Sequence, residues 1–305
     1  MLRLTLLIPT HNRSRELLRA LESVARQELD PALWECVVVD NASTDDTAET
    51  FDRFAAAHPA LHLRRVYEPA AGVSHARNRG LREATTELIA SIDDDERINP
   101  GFLAAYLRFF DEHPAAEVAG GRIIAEYPCG RPRWMSRWTE QPIANPIDLG
   151  ERIRRFPVGR LPGGGNMAFR RTTALRYGFA TELGRVGNRP IGGEENDFFD
   201  RLRADKVALW YVPEAVMWHI IPPEKVTDEA FRRLARHIGI SQRLRAELRG
   251  GVLRARLREV LKWVATVPIG CMLRPAQRGP LWIMRREIAR GLFSKSGKNE
   301  APTQK

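Results

Sequence analysis

The sequence predicts an α/β fold whose central sheet is mostly parallel. Two observations carry this prediction. Short apolar segments alternate with segments of helical character through the first two-thirds of the chain. Hydrophobic residues make up 43% of the 305 residues, which suffices for one sizeable core. A third observation concerns function, because polar clusters follow several of the apolar segments, where open α/β sheets bind ligands.

The strand candidates are short, apolar or β-branched runs that end in turn residues. They lie at residues 4–9, 34–40, 61–67 and 87–92. The spacing of apolar residues and the acidic first turns predict helices between them, near 14–27, 45–57 and 73–85. Each β-α-β crossover is expected to be right-handed.

Polar residues follow three of these strands, as Thr10-His11-Asn12, Asp40-Asn41 and Asp93-Asp94-Asp95. Ligands of open α/β sheets gather at the carboxyl ends of the strands. The sequence therefore predicts a binding site where the three clusters converge on one sheet edge.

The acidic triplet Asp93-Asp94-Asp95 follows a buried strand candidate. Three adjacent carboxylates repel one another unless a cation lies among them. Their hard oxygen atoms suit Mg²⁺ or Mn²⁺, which can share its coordination with a diphosphate. The alternative is a solvated turn without a metal.

The rest of the chain is less regular. Residues 126–165 are rich in Pro, Arg and Trp, and we expect loops there. A helix is predicted near 194–204 and a strand at 206–212. We expect a first domain over 1–222, a basic helical extension over 223–293 and a disordered tail over 294–305.

The excess of basic over acidic residues lies at the end of the chain. Residues 225–305 hold 19 Lys and Arg against 6 Asp and Glu, whereas the whole chain has a net charge of +10. Such a block suits a polyanionic partner. The apolar stretch at 260–272 contains Lys262 and Pro268, and it is too short for a confident membrane span.

Arginines beside Trp, Leu and Ile suit a helix at the interface of an anionic membrane. The alternative is a helical appendage with a solvated basic face. We expect no nucleic-acid partner, since no nucleic-acid-binding signature accompanies the charge.

The cysteines indicate a reducing compartment. Cys36, Cys129 and Cys271 are far apart and form no CxxC pair. We expect no signal peptide, because the first strand candidate lies within the first few residues of the sequence. A cytoplasmic location is therefore predicted, with peripheral association at the inner face of the cell membrane as a further expectation.

Four motifs together resemble the family 2 glycosyltransferases. The opening strand and the second strand with its turn are similar at Leu7–Arg13 (LIPTHNR) and Val37–Asp45 (VVVDNASTD). The helix before the acidic motif is similar at Gly72–Gly80 (GVSHARNRG), and Asp93-Asp94-Asp95 falls at the family's Asp-x-Asp element. The resemblance covers about residues 4–220.

The resemblance implies a GT-A fold, which is Rossmann-like. It also implies inverting transfer of a sugar, of the hexosyl type, from a UDP-, GDP- or dTDP-sugar to a hydroxyl of a glycan or lipid-linked acceptor. Synthesis of a cell-surface polysaccharide or glycolipid is the setting expected by family analogy. Mn²⁺ or Mg²⁺ is the implied cofactor.

The resemblance also implies roles for individual residues. Thr10 and Asp40 would contact the base and ribose, Arg77 the base or diphosphate, and Asp93 the ribose or donor sugar. The full set expected at the donor comprises Thr10, Asn12, Asp40, Arg77, Asp93, Asp94, Gly164 and Gly165. The structural alternatives are that Thr10 ends a strand, Asp40 caps a turn, Arg77 is a surface cation and the glycines form a hinge.

Asp95 is the implied metal ligand, and His219 would complete the metal's coordination, as a histidine does in some relatives. A packed core histidine is the alternative for His219. Trp134 and Trp138 would either stack on sugar rings or anchor loops to the core.

A pair of acidic residues, Glu194 and Glu195, follows Gly192-Gly193 at a predicted helix start. The helix dipole favours ionised carboxylates there, and an ionised carboxylate could accept the proton of a sugar hydroxyl. The stretch resembles the family's Glu-Asp element, in which the Asp is the usual base, and Glu195 stands at that position. Whether Glu194 or Glu195 is the base stays open at this point, and an acidic helix start without chemistry is the alternative.

Two other functions compete with this prediction. A sugar-phosphate nucleotidyltransferase also combines a nucleotide fold with metal chemistry, but it carries a glycine-rich loop where this chain has Pro9–Asn12. A catalytically inactive binding protein would keep the fold, although Asp93, Asp95, Glu194 and Glu195 are all retained here.

Overall fold

The computed structural model describes residues 1–186 and 191–294. The chain forms two compact units. The sheet unit comprises Met1–Glu126, Pro146–Thr181 and Glu194–Ile220, and the helical unit comprises Tyr127–Asn145, Glu182–Gly193 and the chain from Ile221 onward. The segments 127–145 and 182–193 thus lie in the helical unit, although the sequence analysis placed them within 1–222. Apart from Ser294, the predicted disordered tail lies outside the described residues.

The strands all belong to the sheet unit. In chain order they are β1 Leu4–Thr10, β2 Trp34–Asp40, β3 Leu63–Tyr67, β4 Leu88–Ser91, β5 Glu96–Ile98, β6 Val118–Glu126, β7 Arg154–Arg155, β8 Met167–Arg170 and β9 Leu209–Ile220.

The helices are divided between the two units, with α5 and α8 to α10 in the helical unit. In chain order they are α1 Ser14–Val24, α2 Thr47–Ala57, α3 Val73–Glu83, α4 Phe102–Glu112, α5 Arg137–Ala144, α6 Arg171–Tyr177, α7 Glu194–Ala204, α8 Asp228–Leu248, α9 Val252–Met272 and α10 Pro275–Phe293.

The sheet has the order β3-β2-β1-β4-β8-β6-β9-β5, and β7 also pairs with β9. The run β3-β2-β1-β4 is parallel, and so is the pair of β6 with β9. Strands β5, β7 and β8 are antiparallel to their neighbours. Every residue of β1 and β2 is buried, as expected for parallel strands covered on both faces. The predicted α/β fold is confirmed.

The predicted strand at 206–212 is longer than the sequence indicated. Strand β9 continues through Pro213 to Ile220 because one of its edges pairs with β6 and the other with β5. The pairing with β6 contains a register shift beside Gly121. His219 therefore lies inside a strand and not in a segment that follows it.

The expectation of loops throughout 126–165 was wrong. Helix α5 begins at a capping box in which Ser136 and Thr139 each accept a hydrogen bond from the other's backbone N–H. This eight-residue helix is too short to show a helical period in the sequence. In the same unit the ring of Trp134 lies 5.0 Å from that of Phe231, so Trp134 anchors its loop on α8.

Helices α8 and α10 of the helical unit pack at close range. A Cβ added at Gly239 would lie 2.0 Å from the carbonyl oxygen of Ile288, and one at Gly291 would lie 2.1 Å from that of Arg236. The two glycines let the helix backbones approach closely, so α8 and α10 form a tightly packed pair.

Candidate active site

The carboxyl ends of neighbouring strands bring the predicted polar clusters together in the sheet unit. Thr10 ends β1 and pairs in register with Asp40, which ends β2. The acidic triplet follows β4, the other neighbour of β1. The hydroxyl of Thr10 donates a 2.8 Å hydrogen bond to Oδ2 of Asp94.

Arg13 lies against the acidic triplet. Its Nη1 donates to Oδ1 of Asp94 at 2.9 Å and to Oδ2 of Asp95 at 3.2 Å. Burial raises the pKa of Asp94 to about 6, although the charge of Arg13 opposes the rise. A cationic side chain thus neutralises the two carboxylates that the sequence analysis assigned to a donor and a metal.

Arg77 of α3 is the buried centre of a second charged cluster, and only 1% of its side chain is exposed. Its Nη2 donates to Oδ1 of Asp93 at 2.8 Å. Its Nη1 donates to Oε1 of Glu194 at 2.7 Å and lies 3.2 Å from Oε1 of Glu195. The interpretation of Arg77 as a surface cation is therefore wrong.

Glu194 and Glu195 begin α7 and differ in their protonation. Burial, followed by the charge of Glu195, raises the pKa of Glu194 to about 8. Burial also acts to raise the pKa of Glu195, but the charge of Arg77 and hydrogen bonds from backbone and from Glu194 hold it below its ordinary value. At neutral pH Glu194 is therefore protonated and Glu195 is ionised.

The two glutamates also differ in access. The side chain of Glu195 is 24% exposed, against 5% for that of Glu194. Oε2 of Glu194 is buried without a hydrogen-bond partner. Of the two glutamates, Glu195 combines a negative charge with an open face, which is what a base for an incoming hydroxyl requires.

Gly164 and Gly165 face carboxylates. A Cβ at Gly164 would lie 2.2 Å from Oε1 of Glu195, and one at Gly165 would lie 1.7 Å from Oε1 of Glu96. Glu96 is buried, which raises its pKa well above the ordinary value, and Oε2 accepts from the backbone N–H of Asp93 at 2.7 Å. The lack of a side chain at the two glycines leaves room for Glu195 and Glu96. The glycines are therefore needed for the close approach of these carboxylates to the backbone, and not as a hinge.

Asn12 and Asp40 make local contacts. Asn12 has a φ of +52°, and its Oδ1 accepts from the backbone N–H groups of Thr44 at 2.6 Å and Asp45 at 3.3 Å. Asp40 is buried, and its Oδ1 accepts from the N–H of Ser43 at 3.0 Å. Both side chains thus hold the turn that follows β2.

In the pairing of β9 with β5, His219 is opposite Glu96. Glu96 is the residue that directly follows Asp95 in the sequence. The strand pairing therefore brings His219 beside the acidic turn. Within residues 1–186 and 191–294, no group of three or more His, Cys, Asp and Glu side chains is arranged to hold a metal ion.

Arg13 and Glu96 were not among the predicted site residues, although Arg13 lies inside one motif and Glu96 directly follows another. Their contacts join them to Asp94, Asp95 and Gly165. The available signal was position, because Arg13 follows the first polar cluster and Glu96 follows the acidic triplet directly. A cation and a carboxyl at such places are candidates for balancing the charge of the triplet.

The sheet order, the acidic turn after β4 and the carboxylate pair at the start of α7 define a GT-A fold of the glycosyltransferase type. Residues 5–177 match the family described as glycosyl transferase family 2, and the chain belongs to that family. The fold and family that the sequence motifs predicted are confirmed.

Two curated relatives illustrate the similarity. Poly(ribitol-phosphate) beta-N-acetylglucosaminyltransferase TarS of Staphylococcus aureus is 30% identical over 115 residues, which cover 37% of this chain and 20% of the relative. Validoxylamine A glucosyltransferase of Streptomyces hygroscopicus subsp. limoneus is 34% identical over 253 residues, covering 74% of this chain and 53% of the relative. The chain thus spans between a fifth and about half the length of these relatives.

Solved structures share the fold. The mannosyltransferase PcManGT of Pyrobaculum calidifontis, in complex with GDP-Man and Mn²⁺, superposes with a TM-score of 0.62 at 20% identity, covering 95% of this chain and 87% of its own. Residues 1–349 of S. aureus TarS in complex with UDP-GlcNAc superpose with a TM-score of 0.54 at 18% identity, covering 95% and 89%.

Proposed function

We propose that this chain is an inverting glycosyltransferase that moves a sugar from a nucleoside-diphosphate sugar to an acceptor hydroxyl, in cell-surface polysaccharide or glycolipid synthesis. The observation that carries the proposal is the cluster in which Arg77 holds Asp93, Glu194 and an ionised, accessible Glu195. Family membership supports the reaction class, and the sugar-nucleotide ligands named for the neighbours support the donor class.

Glu195 is the proposed general base. The oxygen of the acceptor hydroxyl attacks the anomeric carbon of the donor, and the hydroxyl proton passes to Glu195. The bond between the anomeric carbon and the diphosphate oxygen breaks, and the nucleoside diphosphate leaves with the electron pair. One displacement inverts the anomeric centre, so no covalent intermediate is required.

The other members of the cluster position this base. Arg77 holds Glu195 ionised, and burial keeps a proton on Glu194 beside it. Gly164 provides the space that the Glu195 side chain occupies. Asp93, held by Arg77, lies at the strand edge where donors are expected to bind, so one guanidinium organises residues on both sides of the reaction.

A divalent cation fits the acidic turn. Asp94 and Asp95 offer hard oxygen ligands. The guanidinium of Arg13 lies beside them, where a metal cation would bind. Mg²⁺ and Mn²⁺ often use only one or two protein carboxylates together with substrate phosphates, so a larger cage is not required. Asp95 would hold the ion with His219 as a second ligand, and the bound ion would stabilise the charge of the leaving diphosphate.

Ligand-dependent thermal stability tests the donor site. The melting temperature is measured with UDP, GDP and dTDP, each with and without Mn²⁺, because a ligand specific for the folded state must raise it. We expect one nucleotide to raise the melting temperature with metal only, and Asp95→Ala to lose that shift. Asp111→Ala, at an exposed ion pair with Arg3, is the matched control.

The absence of any nucleotide-dependent shift would contradict the proposed donor site. A shift with metal, followed by no transfer of sugar to glycan or lipid-linked acceptors, would instead support a binding protein. Release of pyrophosphate from a nucleoside triphosphate and a sugar phosphate would replace the proposal with a nucleotidyltransferase.

A further inference from the structure

Helix α9 of the helical unit has an inverted distribution of polarity. Its buried residues are Glu259, Thr266 and Gly270. Its exposed residues include large aliphatic side chains and a methionine that are 52–85% exposed, namely Leu253, Leu257, Val260, Leu261, Val264, Val267 and Met272. A helix whose outer face met water would bury its apolar residues and expose its polar residues, which is the reverse of this arrangement.

The exposed apolar residues form one continuous stripe. Their spacings of one, three, four and five residues keep them on a single face of an α-helix. The 21 residues of α9 correspond to a length of about 30 Å at ~1.5 Å per residue. A contiguous apolar surface of this length on a folded protein marks a site that another apolar phase covers. We call it the α9 stripe.

The borders of the α9 stripe are cationic. Arg254, Arg258 and Lys262 are exposed and follow one another at four-residue spacing along one side of it. The single acidic residue of α9, Glu259, points inward, where Oε1 lies 3.4 Å from Nη1 of Arg285 and Oε2 lies 3.9 Å from Nζ of Lys262. The outward face of α9 is therefore apolar at its centre and positive at its edge, with no carboxylate.

We propose that the α9 stripe docks this chain on an anionic lipid bilayer, with α9 lying in the plane of the interface. Aliphatic side chains would enter the acyl boundary while the arginines and Lys262 meet anionic headgroups. The helix would lie on the membrane and not cross it, since none of the helices in the described part of the chain is long and apolar enough to span a bilayer.

Charge decides between a bilayer and other occupants. A second copy of this chain would bring two rows of cations together over the same stripe, which costs free energy. A nucleic acid would satisfy the cations but would leave the aliphatic centre exposed to water. An anionic membrane offers both an apolar interior and a negative surface above it. The inference concerns the helical unit alone and does not depend on which reaction the sheet unit catalyses.

Vesicle co-sedimentation of the full chain tests the proposal. We expect binding to vesicles of phosphatidylcholine mixed with phosphatidylglycerol, and much weaker binding to phosphatidylcholine alone. The triple variant Leu257→Ser, Leu261→Ser and Val264→Ser should weaken binding at least about tenfold, since each serine removes buried apolar area. The variant Arg254→Gln, Arg258→Gln should weaken binding and reduce its dependence on salt.

Val158→Ser is the matched control, because Val158 is a fully exposed aliphatic residue of the sheet unit. The substituted side chains are exposed, so circular dichroism should show an unchanged fold for every variant. Equal binding of the triple variant and the control would overturn the proposal, and so would a failure of the parent chain to bind anionic vesicles. A concentration-dependent dimer that the triple variant loses, without vesicle binding, would assign the stripe to self-association instead.

Discussion

Oε1 of Glu195 lies 3.2 Å from Nη1 of Arg77, although the two residues are remote from each other in the sequence. The guanidinium is buried, whereas a quarter of the glutamate side chain is exposed, at 24%. This arrangement keeps one face of the carboxylate charged and open while the other face is fixed.

Replacement of Gly164 should damage transfer without unfolding the chain. In Gly164→Ala the new Cβ would meet Oε1 of Glu195 at 2.2 Å, and it would lie 2.6 Å from Cγ, so the carboxylate must move. We expect kcat to fall about 100-fold, the typical effect of a misplacement near 1 Å, with little change in donor binding.

Gly101→Ala is the control, because the nearest atom to its added Cβ is 3.6 Å away. Both variants are compared by steady-state kinetics and by donor titration. Full kcat in Gly164→Ala would show that the position of Glu195 is not critical.

Removal of Arg13 should change the response to metal in the absence of nucleotide. The guanidinium neutralises Asp94 and Asp95, so a cation that enters the acidic turn must compete with it. In Arg13→Gln this competition is lost, and we expect the affinity for Mn²⁺ alone to rise roughly tenfold, equivalent to about 1.4 kcal/mol. Electron paramagnetic resonance of free Mn²⁺ measures the affinity directly.

Arg19→Gln, at an exposed position in helix α1, which directly follows Arg13 in the chain, is the control and should leave the affinity unchanged. A lower Mn²⁺ affinity in Arg13→Gln than in the parent would mean that Arg13 supports the site instead of occupying it.

The protonated state of Glu194 predicts a dependence of stability on pH. The folded chain holds the Glu194 proton up to about pH 8, whereas the unfolded chain releases it near the ordinary pKa of 4.5. The folded state therefore binds more protons between these values, and this group makes the free energy of unfolding fall as pH rises through that window.

Glu194→Gln removes this titration while it keeps the shape of the protonated side chain. Relative to the parent, we expect the variant to gain up to about 1.4 kcal/mol of stability per pH unit across the window. Denaturant unfolding of both proteins at several pH values measures the difference. Parallel profiles would mean that Glu194 is ionised in the folded chain.

The parts of the fold that depend on local pattern could be predicted from the sequence. Strands β1 and β2 are continuous apolar runs, and the polar residues at their ends predicted that Thr10 and Asp40 lie at one sheet edge. Helix α5 could not be predicted, because its start depends on the cap between Ser136 and Thr139 and not on periodicity. The length of β9 depends on pairing with two distant strands.

The candidate site shows the same division. The motifs predicted that Asp93, Arg77 and Glu195 lie in one site. They did not show whether Glu194 or Glu195 is the base, because the two residues differ in burial, which the motifs do not reveal. The role of Arg13 could not be predicted, because it depends on the proximity of two loops that are remote in sequence. The role of Glu96 could not be predicted either, because its proximity to Gly165 is visible only in the folded sheet unit.

The most direct test of the account is the turnover number of Glu195→Gln against that of Glu194→Gln, with the donor that the thermal-shift measurements select. We predict that Glu195→Gln binds this donor normally and loses about 10²–10⁴-fold in kcat, the usual contribution of a general base. Glu194→Gln resembles the protonated acid and should stay within about tenfold of the parent. The reverse order of the two variants, or equal and small losses in both, would contradict the assignment of Glu195 as the base.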